Sequence, residues 1–376
     1  MKKNSILALA LSLVFFSCNK EKEVATTPQL NTETSNAVAE NFVKAKYDFF
    51  ESDKTEADFD ALFSTKELAD AFENTFESEK NLMNETGIKY VSHVSNIKIK
   101  SRTTNSDASE TLLLEELTVL KTNQISEISH QVISTTIQQQ YNFIIKASEG
   151  KYIITELHDL DKELLERLKT ESETQELSVA EQNELTSMAD KLNGITATYN
   201  RTKVYTYAST YAVTPNPAYQ DFSPGNCSYC GGDCTNFLSQ CFLVGGWPQK
   251  FGASSSLSSW WYGKSTNPVG YKSGFSGVWV SAQKMGFFLK ALTSRATRVK
   301  SLSLIQLADA ANLVGKTGNA YHSLIVTEKS TTGNIFMSCH TSNRFNAPIS
   351  TWGLSTSTNY TGILPTAFLW QIKSTF

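Results

Sequence analysis

The chain has 376 residues, with 34 Lys+Arg against 37 Asp+Glu, a net charge of −3, and 40% hydrophobic residues. That composition excludes a largely disordered chain, and no basic run interleaved with aromatics marks a nucleic-acid groove. The length suits two domains better than one. Residues 196–376 hold 14 basic and 4 acidic side chains, net +10, leaving 20 basic and 33 acidic, net −13, for residues 1–195. The basic half either attracts an anionic polymer or docks on the acidic half, and charge alone does not choose.

Met1-Lys2-Lys3 precedes an apolar run from Ile6 to Phe16 and then Ser17-Cys18. A positive start followed by roughly 7–15 apolar residues reads as a secretory signal, too short to span a bilayer. The Ser17-Cys18 junction resembles the processing site of bacterial lipoproteins. That resemblance implies loss of residues 1–17, acyl chains on Cys18, and an extracytoplasmic protein lipid-anchored to a bacterial membrane in the cell envelope. Ordinary cleavage near Ser17, leaving Cys18 free, is the other reading. Residues 18–36 are polar and charged with little to bury, as in a flexible tether.

From Ala37 to about Thr86 apolar residues recur at helical spacing, among them Val38, Phe42, Val43, Tyr47, Phe50, Phe59, Phe63, Phe72 and Phe76. Several short helices are predicted. After Gly87 the segments Tyr90–Lys100, Glu110–Leu120, Glu127–Ala147 and Lys151–Leu157 alternate and are rich in Ile, Val, Thr and Tyr, which predicts strands. Residues 37–158 thus read as a small α+β domain of helices on an antiparallel sheet, similar in pattern to NTF-like or cystatin-like domains and without an assigned role. Residues 159–195 carry Leu164, Leu165, Leu168, Leu177, Leu185 and Leu192 among many charges and stop at Asn193-Gly194. They read as a helical connector.

The remaining residues, 196–376, open with a predicted helix, Tyr199–Val213, ended by Pro215 and Pro217. Strands are predicted at Leu302–Leu307, His322–Glu328 and Asn334–His340. The most informative segment is GGDCTNFLSQCFLVGGWP, residues 231–248. Asp233 is a suitable N-cap, Cys234, Phe237, Leu238 and Cys241 share one helical stripe, and Gly245-Gly246 with Pro248 end the helix. Cys234 then lies in the first turn, where unpaired backbone N–H groups and the helix dipole favour a thiolate. That position suits a nucleophile and a buried structural cysteine equally.

A cysteine nucleophile needs a base. The chain has five histidines, and beyond residue 196 they are His322 and His340. His322 opens one predicted strand and His340 closes the next, so a hairpin sets them roughly opposite at its open end. There His340 could hold His322 in the tautomer that serves the sulfur.

Taken together, Tyr199-Asn200-Arg201, Tyr207-Ala208, Tyr211-Ala212, Pro215-Asn216-Pro217, Gly232-Asp233-Cys234-Thr235-Asn236-Phe237, Ser239-Gln240-Cys241, Trp260-Trp261-Tyr262, Trp279, His322-Ser323-Leu324-Ile325-Val326-Thr327 and His340-Thr341 resemble the bacterial "putative amidase" domain family. That family is kin to NlpC-type and CHAP cell-wall hydrolases in the papain-like cysteine peptidase clan. The resemblance implies an α+β, papain-like cysteine hydrolase domain over 196–376, with a Cys-bearing helix packed on an antiparallel sheet. It implies amide hydrolysis through a Cys234 thioester, with His322 as base and His340 as third member, Asn343 being the fallback. Asp233 and Asn236 would be cap and support. The implied partner is a peptide or peptidoglycan-type amide, an acidic substrate that suits the +10 half, and no cofactor is implied.

Cys227 and Cys230 form a C-x-x-C, for which a disulfide clamping that loop, or one joining it to Cys241, is expected in an oxidising compartment. Zinc would need four ligands, and neither a second C-x-x-C nor a suitably spaced histidine exists. The competing reading of the whole chain is a catalytically inactive surface lipoprotein that uses the fold as a binding scaffold.

Overall fold

The computed structural model describes residues 32–52, 59–174, 176–188, 197–223, 232–264, 273–354 and 366–375. Its first elements are two 20-residue helices, α1 (Thr32–Glu51) and α2 (Lys66–Glu85), where several short helices were expected. Both lengths follow from apolar stripes that run unbroken, and the hydroxyl of Thr65 caps α2 by accepting from the Leu68 N–H at 3.3 Å.

These helices lie on four long antiparallel strands, β1 (Tyr90–Thr104), β2 (Glu110–Ile125), β3 (Val132–Ser148) and β4 (Lys151–Asp159). Along β2 alternate residues are buried through Leu112, Leu114 and Leu120, the period-2 pattern of a sheet with one covered face. Phe42 of α1 is fully buried and meets Phe63, Phe72, Tyr141 and Phe143 edge-on.

The connector is two helices rather than one, α3 (Leu160–Thr174) and α4 (Val179–Met188). There follow α5 (Arg201–Tyr211), α6 (Cys234–Val244), β5 (Tyr262–Lys264), β6 (Ser273–Phe275), α7 (Gly277–Val280) and α8 (Ala282–Ala291). The chain then runs through β7 (Ala296–Val299), β8 (Ala310–Val314), β9 (Ala320–Lys329), β10 (Ile335–Cys339), β11 (Arg344–Pro348) and β12 (Ala367–Ile372).

The strand expected at Leu302–Leu307 is not one. Ser301 accepts from the Ser303 N–H and turns Leu302–Leu304 into a 3-10 helix, so the strand begins later, at Ala310. A short apolar run cannot by itself separate a strand from other buried backbone.

The larger sheet runs β1-β2-β3-β11-β10-β9-β8-β12-β7, with β4 also on β3. It is mixed helix and antiparallel sheet, an α+β arrangement, and it crosses the charge divide of the sequence. The junction is β3 with β11, where Ile137 faces Arg344 and Thr136 faces Phe345, reinforced by the Thr135 hydroxyl donating to the Asn346 carbonyl at 2.7 Å.

In the C-terminal half α6 packs on β9, and every residue from Cys234 to Phe242 is buried. Gly245 ends this helix where a Cβ would lie 2.5 Å from the Tyr199 ring, so a larger residue there would push α5 away. Arg201 at the start of α5 holds Asp309 at 2.7 Å, and Asp309 also accepts from the Ile372 N–H at 2.9 Å. The Asp309 side chain is fully buried. Removing one partner of a buried pair leaves the other charge uncompensated. Asp309→Ala is therefore expected to lower unfolding stability by about 3 kcal/mol, read from denaturant midpoints. A change under about 1 kcal/mol would show that this anchor is not structural.

Candidate active site

The approach to α6 is set by backbone geometry. Gly232 sits at φ +119°, and a Cβ there would lie 2.7 Å from the Thr341 hydroxyl, so only glycine fits. The same hydroxyl accepts the Asp233 N–H at 2.6 Å. Thr341 and Ser342 themselves hold positive φ, 61° and 77°, an unusual conformation for such residues and one that concentrates at functional sites.

Asp233 occupies the N-cap position, but its carboxylate does not cap the helix. It accepts instead from the Phe222 N–H at 2.9 Å, from the Asn236 amide at 2.8 Å and from Nδ1 of His340. Asn236 turns its carbonyl oxygen to the Trp279 indole N–H at 2.7 Å. Asp233 and Asn236 thus tie the helix start to the 222 loop, to α7 and to the end of β10.

Cys234 is 4% exposed. Burial pushes its thiol up to about 11, against the pull of the Thr235 hydroxyl and the Ser323 backbone N–H. The Thr235 hydroxyl lies 3.7 Å from the sulfur and 2.8 Å from the Ser323 hydroxyl. Ser323 in turn accepts from the Asn312 amide at 3.0 Å, and Asn312 accepts from the Trp370 indole at 2.8 Å. A buried polar chain therefore runs across β12, β8 and β9 to the sulfur. Sequence reasoning missed Thr235, Ser323 and Asn312. The signal available was a Thr directly after the cysteine and a Ser directly after the histidine.

His322 is fully buried, and neither ring nitrogen has a hydrogen-bond partner. Burial first, and then the Arg344 charge, lower its pKa to about 3, so the ring is neutral. The pairs Leu313↔His322 and Asn312↔Ser323 keep strict alternation, which sends Ser323 toward α6 and the His322 ring to the opposite side of the strand. No hydrogen bond joins it to Cys234. The register of β8 on β9 slips between Leu313 and Val314, beside His322, and such irregularities re-aim side chains next to active sites.

His340 is not where the expected triad needs it. Its Nδ1 meets Asp233, its Nε2 donates to the Tyr211 carbonyl at 2.6 Å, and its ring stacks on Phe237 at 4.2 Å. Neither nitrogen is left to orient His322. Continuing the Ser338↔Ile325 pairing sets His340 opposite Ser323, on the face turned to α6 and not on the face of His322. Asn343 is further away in function, donating to Gln138 at 2.9 Å and to the Val213 carbonyl at 3.3 Å.

Cys241 is free and buried in the core, as is Cys339, so the pairing that would have used Cys241 is not made. Cys18, Cys227 and Cys230 lie outside the described residues. Trp260 and Trp279 are fully buried and stacked at 5.1 Å, which makes them core and not cleft walls. Among the described residues no group of three or more His, Cys, Asp or Glu is placed to hold a metal ion.

Cys234 does have an opening. With Gly232, Phe222, Phe275, Val280, Ala320 and Tyr321 it lines a cleft of about 380 Å³. The structure thus brings together a cysteine at a helix start, a cleft that it lines, and β9, whose third residue is His322.

Residues 198–362 match the family model described as "Putative amidase domain". Amide hydrolysis is the chemistry that this name carries, and the amidase-like half contains Cys234, His322 and His340. A curated relative, the "Uncharacterized protein YhbB" of Bacillus subtilis (strain 168), is 29% identical over 181 residues, 47% of this chain and 51% of the relative. The chain thus spans about half the length of that relative. Among solved structures, the intermembrane space region of the chloroplast protein ARC6 overlaps 35% of this chain and 98% of its own. It does so at 14% identity and a TM-score of 0.26, which is too low to carry an argument.

The amidase-like half has a pH signature. His322 titrates near 3 when folded and near 6.5 when unfolded. Between these values the unfolded chain binds a proton that the folded one does not. Stability is therefore lost as pH falls, by about 3 kcal/mol from this group between pH 7 and pH 4. In His322→Gln the drop in denaturation midpoint between those two pH values should shrink accordingly. An identical drop in both proteins would mean that His322 is not buried as a neutral ring.

Proposed function

We propose that the amidase-like half is a cysteine amidase or peptidase, with Cys234 as nucleophile and His322 as base. The observation that carries this reading is the Cys234 sulfur, held at the first turn of α6, facing the Ser323 N–H and lining a cleft. In the reaction the thiol proton passes to His322 as sulfur bonds to the amide carbon. Collapse of the tetrahedral oxyanion breaks the C–N bond, and the leaving amine takes the proton from the imidazolium. Water then adds to the thioester, His322 accepting and returning a proton, and the acid leaves with the thiol restored. The Cys234 backbone N–H, unpaired at the helix start, supplies one donor to the oxyanion.

His322 must come over the end of β9 to reach the sulfur. Because neither of its nitrogens is bonded, that movement breaks no hydrogen bond, and the neighbouring register slip gives the backbone room. His340 and Asp233 serve as supports that fix the helix start, not as members of the proton path.

The substrate we propose is an amide of the peptidoglycan stem, reached outside the cytoplasm from a lipid anchor on Cys18. The motif at Ser17-Cys18 and the +10 charge of residues 196–376 support location and an acidic substrate.

The resting geometry also favours a second reading. With its thiol near 11, only about one in ten thousand copies of Cys234 is a thiolate at pH 7, and no base touches it. An inert scaffold that binds envelope polymer would look the same. Digestion of purified peptidoglycan followed by mass analysis of released fragments separates the two. The enzyme reading expects fragments that fall at least ~10³-fold in Cys234→Ser and in His322→Ala. Fragments undiminished in Cys234→Ser would end the thiol mechanism, whereas retention on intact sacculi without any fragments would favour the scaffold. The anchor has its own check, because Cys18→Ser should move the protein from the membrane to the soluble fraction of the envelope.

A further inference from the structure

The opening at Cys234 is closed on one side by a helix that the amidase-like half does not own. Leu168, Glu171 and Ser172 of α3 line the same cleft as Cys234. The end of α3 is tied to the turn that leads into β9. Asn319 donates to the Ser172 carbonyl at 2.9 Å, and Glu173 accepts from the Lys316 N–H at 3.0 Å. One helix further, Glu184 accepts from the N–H groups of Leu257 and Ser258 at 3.0 Å, and Glu181 pairs with Lys284 at 3.2 Å. Residues 160–188 hold eight acidic and three basic side chains, opposite in sign to the half on which they lie.

The same helix is thinly packed. Only Leu164, Leu168 and Ser172 of α3 are buried, and two further cavities, of about 640 and 380 Å³, border it. A helix held by a few buried side chains and by bonds at its ends is drawn from the low-stability part of a fold.

We infer that α3 and α4 form an inhibitory strap that walls the Cys234 cleft and restricts access to the sulfur, and that lifting α3 from the β8–β9 turn admits substrate. The inference rests on Cys234 being the reactive group of this half. It accounts for the sulfur and the His322 ring being buried and apart while a cleft of about 380 Å³ lies beside the sulfur.

The test is iodoacetamide labelling of the mature chain, followed residue by residue by mass spectrometry. Two variants loosen the strap: Leu168→Asp removes an apolar anchor, and Glu173→Ala with Asn319→Ala removes the end bonds while leaving the core untouched. Cys234 should label at least ~5-fold faster in both, and in the native chain at high salt, which screens charge attraction. Cys241 and Cys339 should stay unlabelled. Unchanged or slower labelling of Cys234 would overturn the strap, and so would Cys241 labelling in step with it, because access would then come through the core. Labelling reads access and not turnover. Faster labelling with no fragments from peptidoglycan keeps the strap and removes the hydrolase, whereas fragments from the native chain with labelling unmoved remove only the strap.

Discussion

The pairing of β3 with β11 decides how this molecule is put together. A few backbone hydrogen bonds, with Thr135 donating to Asn346, join strands of the acidic and the basic half into one sheet. Once that junction is fixed, the direction in which the chain leaves β4 is fixed too, and α3 starts at the next residue, Leu160. The helix has nowhere to run except along the face where β9 begins. The docking of acidic on basic sequence is the answer that the structure gives to the charge asymmetry, and it is made by specific contacts at Glu173, Glu181 and Glu184 rather than by diffuse attraction.

Polar satisfaction separates Asp233, Asn236 and His340 from His322. Asp233 accepts three donors, Asn236 bridges to Trp279, and both nitrogens of His340 are engaged. Groups satisfied in this way rigidify a core, and losing one partner leaves the rest unpaired. His322 alone among the histidines that were expected to act has two buried, unbonded nitrogens. Each such group costs about 1–3 kcal/mol relative to a bonded one. A leucine would fill the same space without that cost, and this is why the proposed role for His322 starts from its unbonded nitrogens.

The sequence was most legible where periodicity was long. The strands β1 to β4 follow from alternation, and the start and end of α6 follow from Gly232, Gly245 and Gly246. It was least legible where tertiary context overrides local pattern. Ala310-Ala311-Asn312-Leu313-Val314 has weak strand propensity and becomes a central strand because β9 and β12 flank it. The hairpin end brings His340 close to His322 in register, but it lies on the face of Ser323, where the carboxylate of Asp233 and the Tyr211 carbonyl hold it at the helix start. Asp233 was given a capping role on residue type alone, and nothing in its own neighbourhood of sequence announces a histidine 107 positions away.

The closed geometry has an energetic meaning. Anything that binds the open cleft must supply the free energy that holds α3 down, and apparent affinity falls by the fraction of molecules that are open. Leu164 and Leu168 are worth about 1.5–3 kcal/mol each when fully buried, a cost that a ligand with many contacts, such as the proposed anionic polymer, would be able to meet. On the same proposal a small neutral amide, confined to the cleft, would gain less toward that cost. If the polymer substrate proposed above is the right one, selectivity over a monomer would need no pocket that reads the monomer, because the acidic strap and an acidic polymer would compete for the same basic half.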